Sequence, residues 1–189
     1  MIEKVEAGEI PFERRVQSLC LTPYYGHLHG CPNYGKKQGC PPNQPLIDEV
    51  LDFERGIYVV YTRFAVGEFA EGIRKKYPQW NERQIYNPRY WQPRARKLQR
   101  EEKERAKKEL GLEAIINSPE GNGVLVSQLM RNIGVELSWR WPPDHKNYKE
   151  IPKEFLVPKI RLANFCYKEN FTYLVSLAGF FKQCSLYEF

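Results

Sequence analysis

Apolar residues in this chain come in short blocks separated by polar, turn-forming stretches, and the spacing within each block predicts its structure. Residues 45–53 (PLIDEVLDF) repeat their apolar positions at helical spacing, with Pro45 suited to a first turn. Residues 55–65 contain Ile-Tyr-Val-Val-Tyr-Thr, a dense β-branched and aromatic run that predicts a buried strand. Residues 67–77 read as an amphipathic helix that Pro78 ends. Residues 80–93 (WNERQIYNPRYWQP) are aromatic and broken by proline, and read as irregular. Pro93 then opens a long basic helix, about residues 93–111, ending near Gly111.

Further along, Ser118 caps and Pro119 opens another helix, although Gly121 and Gly123 compete and would move its start to Asn122. That helix would carry Val124, Leu125, Leu129 and Met130 and stop before Gly134. Residues 135–139 read as a strand and 141–153 as a polar loop. Residues 155–167 and 171–180 read as two strands joined by a short turn at Lys168, Glu169 and Asn170. Residues 1–19 are polar, with one short amphipathic stretch at 12–16. No repeat or low-complexity linker divides the chain. The expectation is a single domain over residues 1–189, α/β or α+β, with a mixed sheet flanked by helices.

Composition changes this picture little. With 189 residues, 42% hydrophobic and 14% aromatic, the chain is globular rather than disordered. Its net charge of +6 leaves room for an anionic partner without requiring one. The first residues contain no apolar signal-like core, and no run reaches membrane-spanning length, so a cytoplasmic protein with reduced thiols and no membrane contact is expected. Five cysteines, an odd number, also argue against a disulfide framework.

The chemistry concentrates in residues 20–44. Cys20, Cys31 and Cys40 stand among Gly, Pro, Tyr and His, a composition that suits a loop around a metal better than a packed core. Cys166 and Cys184 read instead as small buried hydrophobes. Zinc sites usually pair their ligands as C-x2-4-C, a pairing absent here, while wider spacing suits thiolates that reach different irons of a cluster. Three thiolates would hold three corners of a 4Fe–4S cluster and leave one iron for His27, His29, water or substrate. Zinc, with His27 or His29 completing a Cys3His set, is the rival. Lys36 and Lys37 would offset thiolate charge, and the N–H groups of Gly30, Gly35 and Gly39 would face the cluster sulfides.

Within this segment Cys31, Tyr34, Gly35, Lys36, Cys40, Pro41 and Pro42 resemble the hallmark of a family of small prokaryotic proteins described as predicted metal-binding proteins. Weaker echoes lie at residues 58–61 and at Ile133-Gly134-Val135-Glu136. Two departures stand out. Cys20 is farther from Cys31 than the family's first cysteine pair, and the region before the Gly-Val turn, AIINSPEGNG, lacks the second cysteine-rich segment that family members commonly carry. The resemblance therefore implies one metal centre rather than two, and no particular reaction.

The expected function is that of a protein binding one 4Fe–4S cluster through Cys20, Cys31 and Cys40. It would act on a small or nucleotide-like substrate in sulfur transfer or desulfuration, with Lys36, His27 and His29 as the candidate catalytic groups. Two alternatives remain open. One is an electron-transfer or redox-sensing protein that docks an acidic partner through Arg94, Arg96 and Lys97. The other is a zinc-binding module that binds nucleic acid through the same basic helix, with Trp80, Tyr86, Tyr90 and Trp91 to stack bases. Lys97–Glu101, Glu101–Arg105 and Glu104–Lys108 pairs argue that the helix is simply a solvated face. Gly121-Asn122-Gly123 has part of a phosphate-loop pattern but lacks its Lys-Ser/Thr, and reads as a turn. His145 reads as solvent-facing.

Overall fold

In the computed structural model, residues 1–22, 29–137, 166–168 and 171–182 are described. The strongest strand signal forms β2 (Ile57–Ala65), which pairs with β1 (Ile2–Val5) on one side and β5 (Phe171–Gly179) on the other. The far edge of β5 is shared. β3 (Ala114–Ile116) pairs with its end and β4 (Cys166–Lys168) with its beginning. Each of these pairings is antiparallel, so the expected α/β or α+β domain is α+β, and its described sheet is antiparallel rather than mixed.

Alternation along β2 and β5 sorts their side chains onto two faces. Ile57, Val59 and Tyr61 share one face with Val175 and Leu177, which pair with Tyr61 and Val59. That face packs on Val5, Ile10, Ile47, Leu51, Val124, Val126, Leu129 and Met130 in one buried cluster. Leu129 and Met130 come from α6 (Val126–Asn132), shorter than expected because residues 119–122 form a separate 3-10 turn first. The other face carries Val60, Thr62, Leu174, Ser176 and Ala178.

The basic helix, α5 (Pro88–Leu110), covers that second face. It starts five residues before the expected Pro93. Asn87 caps it by accepting from the Arg89 N–H at 3.0 Å, and Pro88 takes the first turn. Pro93 therefore lies inside the helix. Residues 80–93 are not irregular either. Asn81 and Gln84 form a reciprocal capping box around α4 (Glu82–Ile85). At the far end Gly111, at φ 63°, closes α5 as expected.

The apolar stripe of α5 is hard to see because it consists of Trp91, Ala95, Gln99 and Ala106, all buried. Small alanines let the helix sit close to the strands. Gln99 then satisfies the polar groups trapped beneath it. Its Nε2 donates to the Val60 carbonyl at 2.9 Å and the Ser176 hydroxyl at 3.2 Å, and its Oε1 accepts from Thr62 at 2.8 Å.

The helix expected at 45–53 shrinks to α2 (Ile47–Val50), because Leu51 leaves to bridge Phe181 and Asp52 donates its N–H to Phe180. A helix expected over 67–77 is found as α3 (Val66–Lys76). The first residues, expected to be polar with one amphipathic stretch at 12–16, form β1 and then α1 (Arg14–Ser18), which overlaps that stretch and buries Val16 and Gln17. β4 and β5 match the C-terminal strand pair as far as it is described, and residues 135–137 form no strand. The loop at 141–153 with His145, residues 138–139 and 155–165, the turn residues 169 and 170, and Cys184 lie outside the described residues.

Replacing Gln99 by Ala strands Thr62 and Ser176 and opens a void. It is expected to cost about 2–4 kcal/mol, measured by urea unfolding. The apolar combination Gln99→Leu, Thr62→Val, Ser176→Ala is expected to recover most of that loss.

Candidate metal centre

The cysteine segment is anchored at both ends to the core face of the sheet. Cys20 sits in the 3-10 turn Leu19–Leu21 that follows α1 and is only 4% exposed. One helical turn earlier, the buried Gln17 donates to the carbonyls of Gln44 at 2.8 Å and Gly121 at 2.9 Å. One side chain thus joins the end of the cysteine segment to a turn 104 residues along from Gln17 itself. Asn122 adds a second tie, donating to the Pro45 carbonyl at 2.9 Å.

Between these anchors the chain is a succession of turns. The Cys31 N–H donates to the Cys20 carbonyl at 2.7 Å, bringing the two cysteines together across residues 23–28. Gly30 makes this approach feasible. Its φ is +79°, and a Cβ there would lie 2.4 Å from the Cys20 carbonyl oxygen. Turns then run from Cys31 to Tyr34, from Asn33 to Lys36 and Lys37, and from Lys37 to Cys40. Gly35 donates to the Pro41 carbonyl at 2.8 Å and folds the loop back on itself. Its N–H, expected to face cluster sulfides, is committed to this closure.

The structure brings the three predicted thiols into one electrostatic neighbourhood. The Cys20 thiol is pushed up to about 12 by burial first, then by Cys31 and Cys40, then by Glu120. None of the three is in a disulfide, and Cys31 and Cys40 are partly exposed. Among the described residues, no group of three or more His, Cys, Asp or Glu side chains forms a ready-made cage for a metal ion. In donor chemistry the set fits a metal: soft thiols that share a site, and beside them a carboxylate with nothing to pair with. His29 and Lys36 are exposed beside the loop, while His27 and the Tyr24–Tyr25 pair lie outside the described residues.

Glu120 is the residue that sequence reasoning missed. It lies in the 3-10 turn Pro119–Asn122, is 0% exposed, and neither carboxylate oxygen has a hydrogen-bond partner. Burial pushes its carboxyl up to about 8; its own backbone N–H pulls the other way without reaching hydrogen-bond geometry. Its charge resists ionisation of Cys20. The thiol stays neutral where the carboxyl titrates and exerts no return effect. The signal was available in the sequence as a glutamate between a proline and a glycine ahead of an apolar helix, but that pattern also describes an ordinary solvated helix start.

Elsewhere the structure narrows the alternatives. Residues 119–123 are buried, so Gly121-Asn122-Gly123 is a packed turn rather than a phosphate cradle. Trp91 is 0% exposed and cannot stack a base. Trp80 already stacks on Tyr77 at 4.4 Å and leans on Tyr90 at 5.2 Å. On α5, Lys97 reaches Glu101 at 3.8 Å, Arg105 pairs with Glu102 and Glu109, and Arg94 lies over the Phe69 ring. Among the described residues no helix is long and apolar enough to cross a membrane.

A thiol-bearing loop of tight turns, seated on an α+β sheet, has the donor set of a metal-binding protein. The chain belongs to the family described as Predicted metal-binding protein (DUF2284), whose model matches residues 3–109, more than half of the 189. The match includes Cys20, Cys31 and Cys40 and stops within α5, before Glu120. No curated protein and no solved structure matches the chain significantly.

Gly30→Ala is expected to destabilise the metal-free protein by at least about 2 kcal/mol and to open Cys20 to alkylation, which the native burial keeps slow. Alkylation followed by mass spectrometry reads this directly. The raised carboxyl sets a second expectation. Native Glu120 keeps a proton that the unfolded chain releases near 4.5, so this contribution to stability is intact below 4.5 and is lost as pH rises through about 8. Urea midpoints of metal-free wild type at pH 5 and pH 8 are expected to show that fall, and Glu120→Gln to lack it.

Proposed function

We propose that the protein binds one 4Fe–4S cluster through Cys20, Cys31 and Cys40, and that one iron without a cysteine serves chemistry on a small sulfur- or oxygen-bearing substrate. The observation that carries this reading is that Cys31 and Cys40, from separate turns, lie near enough to act electrostatically on the buried Cys20, with spacings too wide in sequence for a paired zinc knuckle. When bound, such a cluster supplies a Lewis-acidic iron and a one-electron couple.

The chain's own residues do the rest. Cys20 is buried and so keeps one side of the centre dry, while the partly exposed Cys31 and Cys40 leave the other side open. Lys36, Lys37 and His29, exposed in the same loop, would favour an anionic substrate and are candidates to orient it or move its protons. Cys20, which burial makes hold its proton in the metal-free state, must release it to bind metal, so uptake strengthens as pH rises.

A second reading is electron transfer or redox sensing. The partial exposure of Cys31 and Cys40 favours it, since an electron must enter or leave through a thin wall. Arg94, Arg96 and Lys97, exposed on α5, would then face an acidic partner. The zinc-binding, nucleic-acid reading is weakened by the buried Trp91 and by the ion pairs along α5.

The test is iron, zinc and acid-labile sulfide analysis of anaerobically prepared protein, with EPR before and after dithionite. About four irons and four sulfides per chain are expected. A reduced signal perturbed by added sulfide favours the substrate-binding iron, and an unperturbed one favours electron transfer. Zinc without sulfide overturns both. Cys20→Ala is expected to abolish loading, and full loading in that variant would remove Cys20 from the ligand set.

A further inference from the structure

We infer that Glu120 supplies an oxygen ligand to the metal centre held by Cys20, Cys31 and Cys40. The inference rests on the cluster reading above and adds the ligand for the iron that lacks a cysteine.

Three observations converge on it. The first is position. Gly121 passes so close to the cysteine loop that a Cβ there would lie 3.4 Å from the Gly39 carbonyl oxygen and 4.0 Å from Pro41 Cδ, which flank Cys40. The Gln17 side chain fastens the same Gly121 carbonyl one helical turn before Cys20. Glu120 therefore directly precedes a residue packed against the backbone beside Cys40 and tied to the helix before Cys20, and its charge acts on Cys20.

The second is the contrast between backbone and side chain. In this turn the backbone is well satisfied: Gly121 donates to Ser118 at 2.8 Å, Gly123 to Glu120 at 3.1 Å and Val124 to Pro119 at 3.0 Å. Asn122 also has its partner. Only the Glu120 carboxylate is left with both oxygens bare.

The third is the missing counter-charge. Among the described residues no lysine or arginine forms an ion pair with Glu120. A buried carboxylate without hydrogen bonds or cation is strongly unfavourable, and a Gln or Met would fill the same space at lower cost. Packing does not account for an acid at this position. A cation shared with three neighbouring thiolates does, because it supplies the missing positive charge and uses the bare oxygens as ligands.

The experiment loads full-length wild type, Glu120→Gln and Glu120→Asp anaerobically with 57Fe and sulfide, then records Mössbauer and EPR spectra and the rate of iron loss to a chelator. Wild type is expected to show one iron distinct from the other three. Glu120→Gln keeps the shape without the charge. It is expected to lose that distinct component, to fall to about three irons per chain, and to release iron roughly ten- to hundredfold faster. Glu120→Asp, which keeps a carboxylate, is expected to retain part of the distinct component even if Glu120→Gln folds poorly. Wild-type spectra and iron-loss rate in a folded Glu120→Gln, or no distinct component in either wild type or Glu120→Asp, would overturn the assignment while leaving the cluster reading standing. Wild type that takes up no iron and sulfide overturns the cluster reading itself, and the assignment with it.

Discussion

Antiparallel pairing of β2 with β5 is the constraint on which the rest of the molecule depends. Val59 pairs with Leu177 and Val60 with Ser176. A slip of one residue would turn Val60 toward the main core and present Val59 to Gln99, exchanging both faces at once. Two features resist that slip. The core cluster demands the aliphatic set on one side, and Gln99 demands Thr62 and Ser176 on the other. Hydrophobic burial alone would tolerate several registers in strands this apolar. A buried amide that needs its partners does not, because unsatisfied polar groups beneath a helix are costly.

The correctly facing core then positions the candidate site. Val124, Val126, Leu129 and Met130 pack on the same face of the sheet as Ile47 and Leu51. The turn before α6 is thereby fixed against the end of the cysteine segment before α2, and Gln17 and Asn122 tie the two together. What results is a rigid backbone that crowds acidic groups: three thiols, one of them buried, and a fully buried carboxylic acid. Such a place is poorly suited to remain as it is. Cys20 resists ionisation because of burial and because of Cys31, Cys40 and Glu120, and Glu120 resists it because of burial; a bound cation offsets both penalties together.

The central strands β2 and β5 and the turn-rich thiol loop were legible in the sequence for the same reason: each rests on a local pattern, whereas β1 and β3 were not expected. Residues 57–61 are apolar without interruption, and Cys20, Cys31 and Cys40 stand among turn-formers. The face of α5 was not legible, because alanines and a glutamine carry it and neither stands out from a basic helix by hydrophobicity. Pro93 misled on the helix start, since Pro88 and the Asn87 cap take the role it was expected to play. α2 was overestimated because Leu51 and Asp52 are claimed by Phe181 and Phe180, partners more than a hundred residues away. Glu120 was missed on the same principle. Nothing adjacent to it in sequence reveals that the turn is buried, and only the contact with Gly39 and Pro41 does so.

The tie between Gln17 and Gly121 spans 104 residues. It has a consequence for the order in which the molecule is made. During synthesis all three loop cysteines emerge well before the turn that roofs them, so the nascent chain spends that interval with its thiols uncovered by their own protein. At a few residues to tens of residues per second this interval lasts on the order of ten seconds. Metal delivered in that window meets an open, pliable loop; metal delivered afterwards meets a folded one with a buried Cys20. The timing of assembly relative to translation is thus written into where along the chain the two halves of the site fall.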